Sequence, residues 1–135
     1  MKNNVKEFRL VEIFCGSGGL ALEARTAKIE NSDYKIIHKW ANDYDRDTCN
    51  TYIRNIFPED SDSVICGDVR KFDIESLGDI DALAFGFPCN DFSVVGEQKG
   101  FDGVYGPLYT YGAKVLKKIP TFMVFGRKCW RIKEC

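Results

Sequence analysis

Short apolar runs alternate with stretches of helical periodicity along most of this chain. That alternation constrains the fold more than any other feature. Residues 8–14, Phe-Arg-Leu-Val-Glu-Ile-Phe, read as a first strand, and residues 20–27 as a helix. A second strand is expected over 34–41, with Ile36, Ile37 and Trp40 as its apolar content. A helix is expected over 43–56, where Cys49, Tyr52, Ile53 and Ile56 recur at helical spacing and Pro58 lies just past the end. Further strands are expected at 63–66, 81–85 and 121–125, and a helix over 108–119. Strands alternating with helices predict an α/β fold with a mostly parallel sheet and helices on both faces. Ligands of such sheets gather at the carboxyl ends of the strands, so the loops after strands one to four are where chemistry is expected.

With 135 residues the chain is long enough for one domain, which buries roughly two thirds of its unfolded surface. A hydrophobic content of 44% and a charged content of 29% exclude a disordered or membrane-spanning chain. No run approaches the ~20 apolar residues of a membrane span. The polar start shows no export or transit signal. A net charge of −1 gives no global attraction to polyanions, so any nucleic-acid contact must come from a local patch or from a part outside this chain. Six cysteines (Cys15, Cys49, Cys66, Cys89, Cys129 and Cys135) form no CxxC pair, and His38 is the one histidine, so no metal site is expected. Scattered thiols without an export signal point to a reducing cytoplasm.

Two loops and two acids stand out. Gly16, Gly18 and Gly19 lie between the first strand and helix with G-x-G-G spacing, unlike the G-x-G-x-x-G of dinucleotide folds. Such a loop lets backbone approach a ligand, or is simply a tight turn. Asp43 ends the second strand and can accept hydrogen bonds from both hydroxyls of a ribose, with Tyr44 beside it to lie on a base; alternatively it caps the next helix. Asp68, followed by Val69, ends the third strand and can accept from the exocyclic amine of adenine, or serve as a turn aspartate. Glycines, ribose acid and adenine acid thus follow consecutive strands in the order an adenosine pocket requires. After the fourth strand comes Gly86-Phe87-Pro88-Cys89-Asn90-Asp91-Phe92-Ser93, which places a thiol just past a strand end. A lone cysteine is commonly a small buried hydrophobe, and only the thiolate is a nucleophile.

Together these features resemble the DNA (cytosine-5) methyltransferases of bacterial restriction-modification systems, over about residues 8–125. Pro-Cys-Asn-x-Phe-Ser at 88–93 is similar to the family pattern Pro-Cys-Gln-x-Phe-Ser, and Gly96-Glu97-Gln98-Lys99-Gly100-Phe101 to the loop that closes over a flipped base. The family continues to Arg-Gly where this chain has Tyr105-Gly106. The resemblance implies a Rossmann-like S-adenosylmethionine-dependent fold, incomplete at its C-terminal side. It makes Cys89 the nucleophile at carbon 6 of cytosine, within a loop shaped by Pro88, Asn90, Phe92 and Ser93. It makes Phe14, Gly16, Gly18, Gly19, Leu20, Asp43, Tyr44, Asp68 and Val69 the cofactor contacts, Phe14 as an apolar wall. Double-stranded DNA is the implied partner, engaged through a recognition domain not present here, and a separate C-terminal polypeptide could complete the enzyme. The alternatives are a non-catalytic or split-subunit cofactor-binding fragment and a related RNA cytosine methyltransferase. A nucleotide-dependent oxidoreductase is opposed by the glycine spacing.

The resemblance stops after Phe125. The family there carries Glu-Asn-Val, whose glutamate holds a proton against ring nitrogen 3 of cytosine. Here the chain reads Gly126-Arg127-Lys128-Cys129-Trp130-Arg131-Ile132-Lys133-Glu134-Cys135. Gly-Arg-Lys-Cys-Trp can be encoded GGA-AGA-AAA-TGT-TGG, and omitting the first base gives GAA-GAA-AAT-GTT, or Glu-Glu-Asn-Val. The expectation is a catalytic-domain portion over 1–125 and an out-of-frame basic tail over 126–135. The other reading is a genuine terminus with a nucleic-acid-contacting arm.

Overall fold

A computed structural model describes residues 5–27, 33–86, 102–103, 106–118 and 123–126. In chain order these form β1 (Lys6–Ile13), α1 (Gly19–Thr26), β2 (Tyr34–Asp43), α2 (Arg46–Ile56), β3 (Val64–Cys66), β4 (Ala82–Phe85), α3 (Tyr109–Lys118) and β5 (Met123–Gly126). The strands make one sheet in the order β3-β2-β1-β4-β5, every neighbouring pair parallel. The expected α/β architecture is therefore found. The order runs outward from β1 in both directions, so the switch point between β1 and β4 opens a crevice at their carboxyl ends.

β1 is central, and its second half, Leu10 to Ile13, is buried on both faces, which is why apolar Leu10, Val11 and Ile13 do not alternate with exposed residues there. Its Leu10 packs with Ala82, Ala84, Leu20 and Ala24 on the α1 and α2 side. Val11 and Ile13 face the opposite side and pack with Leu83 and with Val115 of α3. Glu12 shares the face of Leu10 and meets α2, where the Tyr52 hydroxyl donates to its Oε2 at 2.6 Å. The edge of β4 is fixed by Arg9, whose Nε and Nη2 donate to Asp81 at 2.7 and 2.9 Å. Asp81 returns a backbone bond from its N–H to the Arg9 carbonyl at 2.9 Å.

Two boundaries differ from expectation in a way that shapes the site. Asp43 is the last residue of β2, and α2 starts at Arg46 rather than at 43. The helix is capped by Asp45, which accepts from the Thr48 N–H at 2.8 Å. A bulge also interrupts the β1–β2 register: Leu10 pairs with His38 but Val11 pairs with Trp40, leaving Lys39 as the extra residue. Ile36 therefore packs on the α1 side and Ala41 on the α2 side, the same face of the sheet, while Trp40 turns to the α3 side. The bulge sets the direction of every β2 side chain after it, Asn42 and Asp43 included.

Candidate functional site

A cleft of about 460 Å³ lies across the carboxyl ends of β1, β2, β3 and β4. That size suits a nucleoside-sized ligand. β1 contributes Phe14 and Gly16, β2 contributes Asn42, Asp43 and Tyr44, and β3 contributes Gly67, Asp68, Val69 and Arg70. Gly86 after β4 and Leu108 before α3 close it. Six of the residues anticipated as cofactor contacts thus meet in one cleft: Phe14, Gly16, Asp43, Tyr44, Asp68 and Val69.

The turn after β1 is held in an uncommon shape. Phe14 has φ 55°, a left-handed conformation that a bulky residue adopts only under constraint. Three bonds hold the turn: the Cys15 N–H donates to the Asn42 carbonyl at 3.0 Å, the Gly18 N–H to the Cys15 carbonyl at 3.3 Å, and the Gly16 N–H to Asp43 Oδ2 at 2.9 Å. Gly16 itself has φ 58° and no atom within 4 Å of where a Cβ would stand, so the backbone here is bare toward the cleft.

Asp43 is neither a helix cap nor an isolated acid. Oδ2 receives the Gly16 N–H, and Oδ1 receives the Asp45 N–H at 3.1 Å, which leaves one lone-pair direction on each oxygen for a ligand hydroxyl. Tyr44 stands beside it, 76% exposed, a free aromatic face at the rim. Asp68 does make the turn contact that its sequence setting allowed: Oδ1 accepts from the Arg70 N–H at 2.9 Å and starts a short 3₁₀ turn. The Arg70 guanidinium also forks onto the carboxylate, Nη2 reaching Oδ2 at 2.6 Å. These bonds hold the Asp68 carboxyl down to about 2, so it is an acceptor at any ordinary pH.

Gly18, Gly19 and Leu20 do not line the cleft. Gly18 has φ 98°, and a Cβ there would stand 2.9 Å from Ile56 Cγ1 and 3.2 Å from Tyr52 Cδ2. It is glycine so that α2 can pack closely. Gly19 opens α1, and Leu20 packs in the α1 core. Cys89 and its neighbours Pro88, Asn90, Phe92 and Ser93 lie outside the described residues. Two of the described thiols are poor nucleophiles. Burial, reinforced by Asp43 and Glu12, pushes the Cys15 thiol far up, and burial with the neighbouring Cys66 pushes Cys49 up to about 12. Among the described residues no group of three or more potential ligands could hold a metal ion, and no helix is long and apolar enough to cross a membrane.

Sequence reasoning missed Asn42 and Arg70. Arg70 carried a weak signal, since a cation two residues beyond a turn aspartate can fold back on it. Asn42 carried none, because its role depends on a strand from elsewhere in the chain.

A five-stranded parallel sheet in this order, with an acid-lined cleft across its carboxyl ends, has the architecture of a Rossmann-like methyltransferase. Its likeness to the crystal structure of the S. pombe Dnmt2 methyltransferase agrees on the fold: TM-score 0.61 at 15% identity, over 91% of this chain and 37% of that one. The chain belongs to the C-5 cytosine-specific DNA methylase family, whose model matches residues 8–125. It is 53% identical over 120 residues to the type II methyltransferase M.BbvI of Brevibacillus brevis, covering 83% of this chain and 32% of that protein. It is 31% identical over 119 residues to M.HhaI of Haemophilus parahaemolyticus, covering 87% of this chain and 32% of that protein. The chain thus spans about a third of the length of these relatives.

Proposed function

We propose that this chain is the cofactor-binding and nucleophile-bearing portion of an enzyme that methylates carbon 5 of cytosine in DNA, with S-adenosylmethionine as methyl donor. The observation that carries the reading is the joint placement of Asp43, Asp68 and the bare Gly16 turn around one cleft. The cleft fits the donor on chemical grounds. Asp43 has acceptor capacity for the ribose hydroxyls, Asp68 stays ionised to accept from the adenine amine, Tyr44 offers a face to the base, and Phe14 supplies an apolar wall. When bound, S-adenosylmethionine supplies an electrophilic methyl group.

Cys89 is the proposed nucleophile. Its thiolate adds to carbon 6 of the cytosine ring, which enriches carbon 5 in electrons; proton loss at carbon 5 and expulsion of the thiolate later restore the ring. The target base must leave the duplex for the sulfur to reach it. Pro88, Asn90, Phe92 and Ser93 shape that loop. Residues 126–135 are proposed to be read out of frame, which is consistent with a family match that ends at residue 125. The gene decides this: a codon sequence across Phe125 that yields no Glu-Asn-Val in another frame refutes it. For the chain by itself the proposed activity is cofactor binding, not turnover.

Calorimetric titration with S-adenosylmethionine tests the binding. Saturable binding by the wild type, lost on Asp43→Ala and kept on Cys89→Ser, supports the reading. No binding, or equal binding by Asp43→Ala, overturns it. The covalent step is tested in the restored-frame protein, where fluorinated cytosine DNA must be trapped by the wild type and not by Cys89→Ser.

A further inference from the structure

Asn42 is an amide buried to 1% exposure at the floor of the cleft. Buried amides of this kind bind ligand, hold backbone, or do both. Here the side-chain Nδ2 donates twice, to the Ile65 carbonyl at 2.8 Å and to the Gly67 carbonyl at 3.0 Å. Both acceptors belong to the carboxyl end of β3. The Asn42 carbonyl meanwhile accepts the Cys15 N–H, which belongs to the turn after β1. One residue therefore fastens the loops of both neighbouring strands.

The neighbouring Asp43 repeats the pattern. Its carbonyl accepts the Gly67 N–H at 2.8 Å and its carboxylate accepts the Gly16 N–H. Gly67 is thus gripped at both its N–H and its carbonyl, one residue before Asp68. Glycine is otherwise the most mobile residue type, and a Cβ added at Gly67 would meet nothing within 4 Å, so side-chain packing does not fix this turn. Hydrogen bonds from Asn42 and Asp43 do.

We propose that Asn42 is a positioning residue that aims Asp68 at the 6-amino group of the adenine ring, and so sets the preference for adenosine over 6-oxo nucleosides. Three donors of Arg70 make four bonds to the Asp68 carboxylate, the N–H and Nε to Oδ1 and Nε and Nη2 to Oδ2. These take up its about four lone-pair sites, so a ligand amine reaches Asp68 by displacing a bond of the exposed Arg70 guanidinium, from a direction set by the Gly67 turn. An amine in that direction donates to Asp68; a 6-oxo group there sets oxygen against oxygen. The inference rests on the adenosine reading of the cleft given above.

The test compares S-adenosylhomocysteine with S-inosylhomocysteine as ligands of the full chain. The wild type is expected to prefer the adenosyl ligand by about tenfold or more, as a site built to bond an amine rejects its oxo analogue. In Asn42→Leu, which matches the shape but donates nothing, the preference should shrink to about threefold or less. Asn42→Ser, which cannot reach both carbonyls, should fall between and serves if the leucine variant does not fold. A general structural role would weaken both ligands alike; an unchanged ratio overturns the proposal. If the wild type takes up neither ligand, the adenosine reading is what fails. Hydrogen exchange then decides the clamp: faster exchange at the Gly67 amide relative to Leu83 in the variants supports it, and equal change at both overturns it.

Discussion

Replacing Glu12 by glutamine should change how stability depends on pH, by an amount the structure fixes. Glu12 is 1% exposed, with one oxygen bonded to the Tyr52 hydroxyl and the other without a partner among the described residues. Burial pushes its carboxyl up from 4.5 to about 7, outweighing the Tyr52 bond, which pulls the other way. Between those two values the folded chain keeps a proton that the unfolded chain has lost. The stability linked to that proton is fully present below 4.5 and is lost as pH rises through 7. At about 1.4 kcal/mol per pH unit the loss comes to ~3 kcal/mol.

The wild-type profile alone will not show this. Burial lowers His38 from 6.5 to about 4, with Arg25 adding to the effect. Its contribution has the opposite sign: present above 6.5, lost as pH falls toward 4. The two trends nearly cancel over most of the acid range. The difference between wild type and Glu12→Gln removes His38 from the comparison. Urea unfolding from about pH 4.5 to about pH 8 should show that difference shifting by ~3 kcal/mol in favour of the variant. Glutamine keeps an acceptor for Tyr52, and its amine, left without a partner, costs a pH-independent ~1–3 kcal/mol that displaces the curve without bending it. A difference that stays constant with pH would refute the buried, protonated Glu12.

Gly18→Ala and Gly19→Ala should act in opposite directions despite being neighbours. The first forces a methyl into Ile56 and Tyr52 at a positive φ and should cost about 1–3 kcal/mol; the second enters open space in a helix and should gain roughly 0.5–1 kcal/mol, both read by urea unfolding. Leu83→Ala, at 0% exposure between β1 and α3, should cost ~2–5 kcal/mol by the same assay, and a cost below about 1 kcal/mol would mean that this core is loosely packed. The Arg9 side chain holds the Asp81 carboxyl down to about 2, so its stabilisation is present above 4 and lost as pH falls through 2; Asp81→Asn should lower the melting temperature at neutral pH and less so near pH 2.

Much of the fold was legible because it is written locally. Each strand holds a short apolar stretch, and a glycine or an aspartate stands at or just past the ends of β1 to β4. The contents of the site were legible only where a residue acts alone. Asp43 and Asp68 could be nominated from their positions, but the sequence could not say that Asp43 ties the Gly16 turn or that Arg70 already sits on Asp68. Gly16 and Gly18 of the loop look alike on paper. Only the presence of Ile56 and Tyr52 above one of them separates a packing glycine from a cleft glycine. Glu12 reads as a polar interruption of a strand, and nothing local shows that α2 brings a hydroxyl to it.

The sequence by itself determined the parallel α/β sheet and the family, since periodicity, turn preference and short motifs act between residues close along the chain. Tertiary structure decided which of those residues face one another. The bulge at Lys39 sets which way Asn42 and Asp43 point, and Asn42 then fastens the ends of β1 and β3 around one cleft. Those choices depend on hydrogen bonds between segments distant in sequence, whose partners exist only once the sheet has formed.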